Sequence, residues 1–122
     1  MRVAGFGFRQ AASLASLRDA LAAAGGAKGI DALATVAQKA ASPALLALAK
    51  EMKLPIHALN ADTLAHISTP TRSDRAMARY GTGSVAEASA LAAAGTGAYL
   101  LTPRATSADG LAMAAIAERN TP

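Results

Sequence analysis

Two glycines, Gly5 and Gly7, close the first apolar run, Val3-Ala4-Gly5-Phe6-Gly7, and Arg9 follows them. Glycines at a strand end let ligand atoms approach the main chain, and amides exposed near the next helix start favour anions. The run begins like a dinucleotide fingerprint. It departs at Gln10, which stands where G-x-G-x-x-G needs its third glycine, and Asp31 lies at the beginning of the second strand, not at its end. A tight turn with no ligand accounts for the same glycines. Lys39 falls just beyond the carboxyl end of the second strand, the edge that lines the ligand crevice of open α/β sheets. Thr35 sits at that edge with a hydroxyl to donate. A solvated loop lysine is the plainer reading of Lys39.

Ser84-Val85-Ala86-Glu87 has the S-x-x-E form of a capping box, in which Glu87 bonds back to the amide of Ser84 and complements the helix dipole. Acid–base work by Glu87 would need a partner, and the sequence displays none. His57 and His66 are separated too widely for a metal pair, and no other ligand types cluster with them, so no metal site is expected. The chain contains no G-x-S-x-G elbow, no Walker A loop and no H-E-x-x-H.

The elements that position these residues can be read from spacing. Residues 2–6 predict a buried strand. Ser13 caps a helix whose Leu14, Leu17 and Leu21 recur at helical spacing, and Gly25-Gly26 stops it. Residues 29–35 predict a second strand. Ser42-Pro43 opens a second helix, with proline at its first position, and Pro55 ends it before a third strand at 56–59. The order strand, helix, strand, helix, strand makes these three strands parallel, with helices covering the sheet. A short helix is expected from Asp62 and another from Asp74 to Tyr80, closed by Gly81. The alanine-rich helix after Ser84 runs to about Ala94. Residues 98–102 predict a strand, Pro103 to Gly110 a loop, and Leu111 to Glu118 a final strand pairing antiparallel with 98–102. Alanine carries little period information there, and a helix fits the same residues. Residues 121–122 are expected to fray. The fold class is therefore α/β: a mostly parallel sheet of about five strands with helices on both faces and a C-terminal antiparallel edge hairpin.

Composition sets limits. The 122 residues fit a single domain spanning 1–122. They are 52% hydrophobic but only 3% aromatic, which leaves no base-stacking platform. The absence of Cys removes disulfides, thiolate nucleophiles and Cys-ligated zinc. No apolar run approaches the ~20 residues of a membrane span, and the N-terminus does not read as a signal peptide, so a cytoplasmic location and no membrane partner are expected. Twelve Lys and Arg against eight Asp and Glu give a net charge of +4, which favours acidic partners. The basic residues are scattered, which argues against nucleic acid.

Several segments together resemble the CobE and CbiG C-terminal family of cobalamin-biosynthesis proteins. Val3-Ala4-Gly5-Phe6-Gly7-Phe8-Arg9 is similar to the family's strand, G-x-G and basic residue, and Leu33-Ala34-Thr35 with Lys39 resembles its second-strand motif. Gly83-Ser84-Val85-Ala86-Glu87-Ala88-Ser89-Ala90-Leu91 resembles its glycine and V-x-E-A-x-A-L helix start. Leu100-Leu101-Thr102-Pro103-Arg104 is similar to a strand ending in a basic residue, and residues 112–117 to the terminal strand. The chain departs at Ala40-Ala41-Ser42-Pro43, where many members carry an acid after the lysine.

The resemblance implies a part in cobalamin synthesis, and in the long CbiG proteins the opening of a cobalt-precorrin δ-lactone with release of acetaldehyde. The present chain is similar to the stand-alone CobE type, for which the resemblance implies no defined reaction and no cofactor. The expected partner is a precorrin or corrinoid, an apolar macrocycle ringed by acetates and propionates. Gly5, Gly7 and Gly83 would give backbone approach, Arg9, Lys39 and Arg104 would meet carboxylates, and Thr35 and Ser84 would donate hydroxyls. Two further readings stay open. One is a lactone hydrolase with Glu87 as acid–base residue and Lys39 polarising a carbonyl. The other is a non-catalytic protein that docks onto corrin-biosynthetic enzymes.

Overall fold

A computed structural model describes residues 1–120; the expected fraying of 121–122 lies outside them. The described residues form five strands and five α-helices, in the order β1 (Arg2–Phe8), α1 (Leu14–Ala23), β2 (Ala32–Val36), α2 (Pro43–Met52), β3 (Ile56–Leu59), α3 (Ala61–Ala65), α4 (Asp74–Tyr80), α5 (Val85–Ala94), β4 (Tyr99–Thr106) and β5 (Ala112–Glu118). A single 3₁₀ turn, Ala37–Lys39, follows β2.

The strands form one sheet in the order β3-β2-β1-β5-β4. β1 pairs parallel with β2, and β2 parallel with β3. β5 runs antiparallel to both β1 and β4. The antiparallel C-terminal hairpin expected from the sequence is present, but the sheet is mixed, not mostly parallel. The reason lies in β5. Its Ala112, Ala114, Ala115 and Ala117 are all buried, so the strand is enclosed on both faces and enters between β4 and β1. β4 alone therefore forms that edge of the sheet. It also continues past the expected stop at 102, through Pro103 to Thr106. An edge strand tolerates a proline, and the register shifts between Leu100 and Ala105 relieve the ladder where Pro103 cannot donate.

Helices cover both faces. Leu17 and Leu21 of α1 and Leu45 and Leu48 of α2 pack on Ala4, Phe6, Leu33 and Ile116. The opposite face carries α5, whose Ala90 and Ala94 meet Val3, Ala34 and Ala117. α5 lies unusually close to β1. A Cβ built on Gly5 would stand 2.1 Å from the Ala86 carbonyl oxygen and 2.6 Å from the Ala90 nitrogen. Glycine at position 5 is thus what lets the alanine-rich helix seat against the strand. Seven of its ten residues are buried, as a helix of small side chains needs if it is to be held by packing. No helix is long and apolar enough to cross a membrane among the described residues.

Candidate functional site

The topology brings three strand ends to one side of the molecule. β5 opposes both β1 and β4 in direction, so β1, β2 and β4 all run the same way and their carboxyl ends share one edge. Arg9 follows β1, Lys39 ends the turn after β2, and Arg104 lies near the end of β4. The N-terminus of α5 and one face of α4 complete the walls. They enclose a cavity of about 270 Å³ lined by Gly7, Arg9, Lys39, Ser84, Val85, Ala86 and Arg104, together with Phe8, Tyr80, Arg75 and Arg79. Five cations line it (Arg9, Lys39, Arg75, Arg79 and Arg104) and no carboxylate does.

The floor is fixed by local chemistry. Ser84 caps α5 by accepting from the Glu87 amide at 3.2 Å. The amides of Val85 and Ala86 belong to the first turn, where an α-helix leaves N–H groups without intrahelical partners and where its dipole favours negative charge. A Cβ on Gly7 would lie 3.4 Å from the Val85 Cβ and 3.5 Å from the Ala86 nitrogen, so glycine at 7 keeps the main chain open beside those amides. The Lys39 ammonium lies 5.4 Å from the centre of the Phe8 ring, whose face is attractive to a cation. Burial, and then the positive fields of Arg79 and Arg75, hold Lys39 below the ordinary lysine range. The Tyr80 hydroxyl is buried and has no hydrogen-bond partner among the described residues.

Five of the residues singled out by sequence, Gly7, Arg9, Lys39, Ser84 and Arg104, are thus brought together. Four are not. Gly5 lies beneath α5 and serves close packing. Thr35 is fully buried and donates to the Phe6 carbonyl at 2.8 Å, tying β2 to β1. Gly83 admits the loop after α3: a Cβ there would lie 2.7 Å from the Thr71 carbonyl oxygen. Glu87 is also fully buried. Its side chain does not return to the Ser84 amide as a capping box would require. Instead it accepts from the Thr71 amide at 3.1 Å, the Thr71 hydroxyl at 2.8 Å and the Arg104 amide at 2.8 Å. It therefore fastens the 69–73 loop and β4 to α5, and it does not line the cavity. Among the described residues no group of three His, Asp or Glu is placed to hold a metal ion.

Arg75 and Arg79 escaped the sequence reading. Their signal was present: two arginines four apart in the helix expected from Asp74 to Tyr80 share one face. A second opening, of about 400 Å³, lies at the other end of α5 between His66, Thr63, Leu91 and Gly97. It carries none of the five cations.

The family model described as cobalamin synthesis G C-terminus matches residues 2–117. Among solved structures, CobE, a protein from the cobalamin (vitamin B12) biosynthetic pathway, is 32% identical with a TM-score of 0.84, covering 100% of this chain and 92% of that one. Cobalamin biosynthesis protein chiG from Agrobacterium tumefaciens str. C58 is 29% identical with a TM-score of 0.74, covering 99% and 100%. A putative cobalamin biosynthesis protein G homolog from Sulfolobus solfataricus shares the fold, with a TM-score of 0.71 at 17% identity over 98% of this chain and 37% of that one. Comparison with curated proteins found no match. With the match running from the first strand to the last, the chain belongs to the cobalamin synthesis G C-terminal family.

Proposed function

We propose that this protein binds a carboxylate-rich precorrin or corrinoid during cobalamin biosynthesis, as a carrier or accessory factor, with the cation-lined cavity as its site. The observation that carries the reading is the charge balance of that cavity: five cations, no acid, and the first turn of α5 at its floor. Such a wall suits a ligand bearing several ionised carboxylates, because each can take a charge-assisted hydrogen bond. Size refines the picture. A cavity of about 270 Å³ is below the roughly 300–1,000 Å³ typical of pockets that engulf a drug-sized molecule. A macrocycle is therefore held by part of its rim, with acetates and propionates inside the cavity and the rest of the ring outside it.

Titration of the protein with hydrogenobyrinic acid, followed by visible absorbance, tests the reading. Saturable binding is expected, weakening as salt is raised. Arg9→Ala, Lys39→Ala and Arg104→Ala should each weaken it by roughly 1–3 kcal/mol where the cation meets a carboxylate. Absence of binding at high micromolar ligand, or affinity unchanged from the parent protein in all three variants, contradicts it.

A further inference from the structure

The five cations fall into two groups. Lys39 is shifted by Arg79 and Arg75, while Arg9 and Arg104 are not among the influences on it. The two ion pairs among the described residues are Arg2–Glu118 and Arg18–Glu51, so Lys39, Arg75 and Arg79, which all line the cavity, are paired with no acid there. Arg75 and Arg79 stand four apart on α4, where like charges repel.

α4 is also the least anchored wall. None of its residues is fully buried, and its packing on the rest of the molecule comes from Ala76 and Tyr80, partly buried against Val36, Leu64, Val85 and Ala88. Its N-terminal side is tied by the Ser73 amide to the Gly83 carbonyl at 2.7 Å, and by Glu87 through Thr71. Its C-terminal side ends at Gly81 in the left-handed region, φ 74°. The two arginines of this helix share the cavity with Lys39 of the turn after β2, and a multivalent anion would offset the repulsion among the three.

We infer that Lys39, Arg75 and Arg79 form a subsite for an anion of at least two charges, neighbouring carboxylates or a phosphate, and that α4 closes over the cavity when this anion binds. The inference rests on the preceding reading for the ligand's identity; the subsite itself follows from the three side chains and the attachment of α4.

The test uses the full chain, with tricarballylate, inorganic phosphate and acetate as probes at equal ionic strength. NMR follows the titration of the Lys39 ammonium, and hydrogen exchange follows the amides of 74–81. Tricarballylate or phosphate should raise the Lys39 midpoint and slow exchange in α4, while acetate does neither; whichever of the two acts at lower concentration identifies the anion. Arg75→Gln/Arg79→Gln, exposed positions that leave the melting profile unchanged, should weaken that response by about tenfold or more, whereas Arg18→Gln should not. An equal response to acetate, or to the multivalent anions in the double variant, overturns the subsite. If tricarballylate acts and hydrogenobyrinic acid does not bind, the corrinoid reading fails and the subsite stands. If hydrogenobyrinic acid binds and neither multivalent anion acts, the subsite fails and the corrinoid reading stands.

Discussion

The cavity is walled by two helices of opposite character. α5 has seven of its ten residues buried and rests on β1 so closely that a side chain at position 5 would meet its backbone. α4 buries none of its seven residues. α5 contributes what must not move, main-chain amides and a capped first turn. α4 contributes what can move, two arginines on an exposed face. Precise positioning and adaptable charge come from different parts of one site, and the packing explains the division. Small side chains allow a helix to be fixed by contact along most of its length, whereas α4 is held mainly by Ala76 and Tyr80, partly buried against Val36, Leu64, Val85 and Ala88.

The largest break in this comparison should come from Gly5→Ala. The new Cβ falls within 3 Å of the Ala86 oxygen and the Ala90 nitrogen, both backbone, so α5 must lift from the sheet. Urea unfolding should register roughly 3 kcal/mol of lost stability. Glu87→Ala comes next. It strands the amides of Thr71 and Arg104 in the interior and frees the Thr71 hydroxyl, for about 2–3 kcal/mol. Hydrogen exchange at Thr71 and Arg104 should quicken together, because one carboxylate holds both.

The smallest effect belongs to α4. Arg75→Ala with Arg79→Ala should move stability by no more than ~0.5 kcal/mol near neutral pH. It should sharpen the comparison at alkaline pH. Lys39 titrates below its ordinary value of 10.5 in the folded chain. Between the folded and unfolded values the unfolded chain holds the extra proton, so stability rises with pH across that window. Removing the two arginines should flatten part of the rise, as read from urea midpoints measured at a series of pH values. A double variant that loses as much stability as Gly5→Ala would erase the distinction between the two walls.

What the sequence revealed follows the same division. Capping and spacing rules act over a few residues, and they located β3, the start of α1 at Ser13, α2 at Ser42-Pro43 and the reach of α5. They could not rank the strands of the sheet. The alanines of β5 carry no alternation, so nothing local said that this strand lies inside and β4 outside. Glu87 shows the limit most clearly. The Ser84 hydroxyl does meet the Glu87 amide, but the carboxylate turned to partners sixteen and seventeen residues away, which no spacing rule reaches. Arg9, Lys39 and Arg104 could be placed near one another because strand ends were legible and all fell at the same edge. Arg75 and Arg79 could be assigned a common helix face, but the short stripe of Ala76 and Tyr80 on α4 did not say which strand ends that face would meet.

In the proposed complex, carboxylates of a corrin-type ring enter between the strand ends of β1, β2 and β4. Chemical-shift mapping of the ¹⁵N-labelled protein with hydrogenobyrinic acid addresses it most directly. The largest changes are expected at the amides of Gly7, Val85 and Ala86, at the fixed floor of the cation cavity. Changes gathered instead around His66, Leu91 and Gly97, at the opposite end of α5, would contradict it.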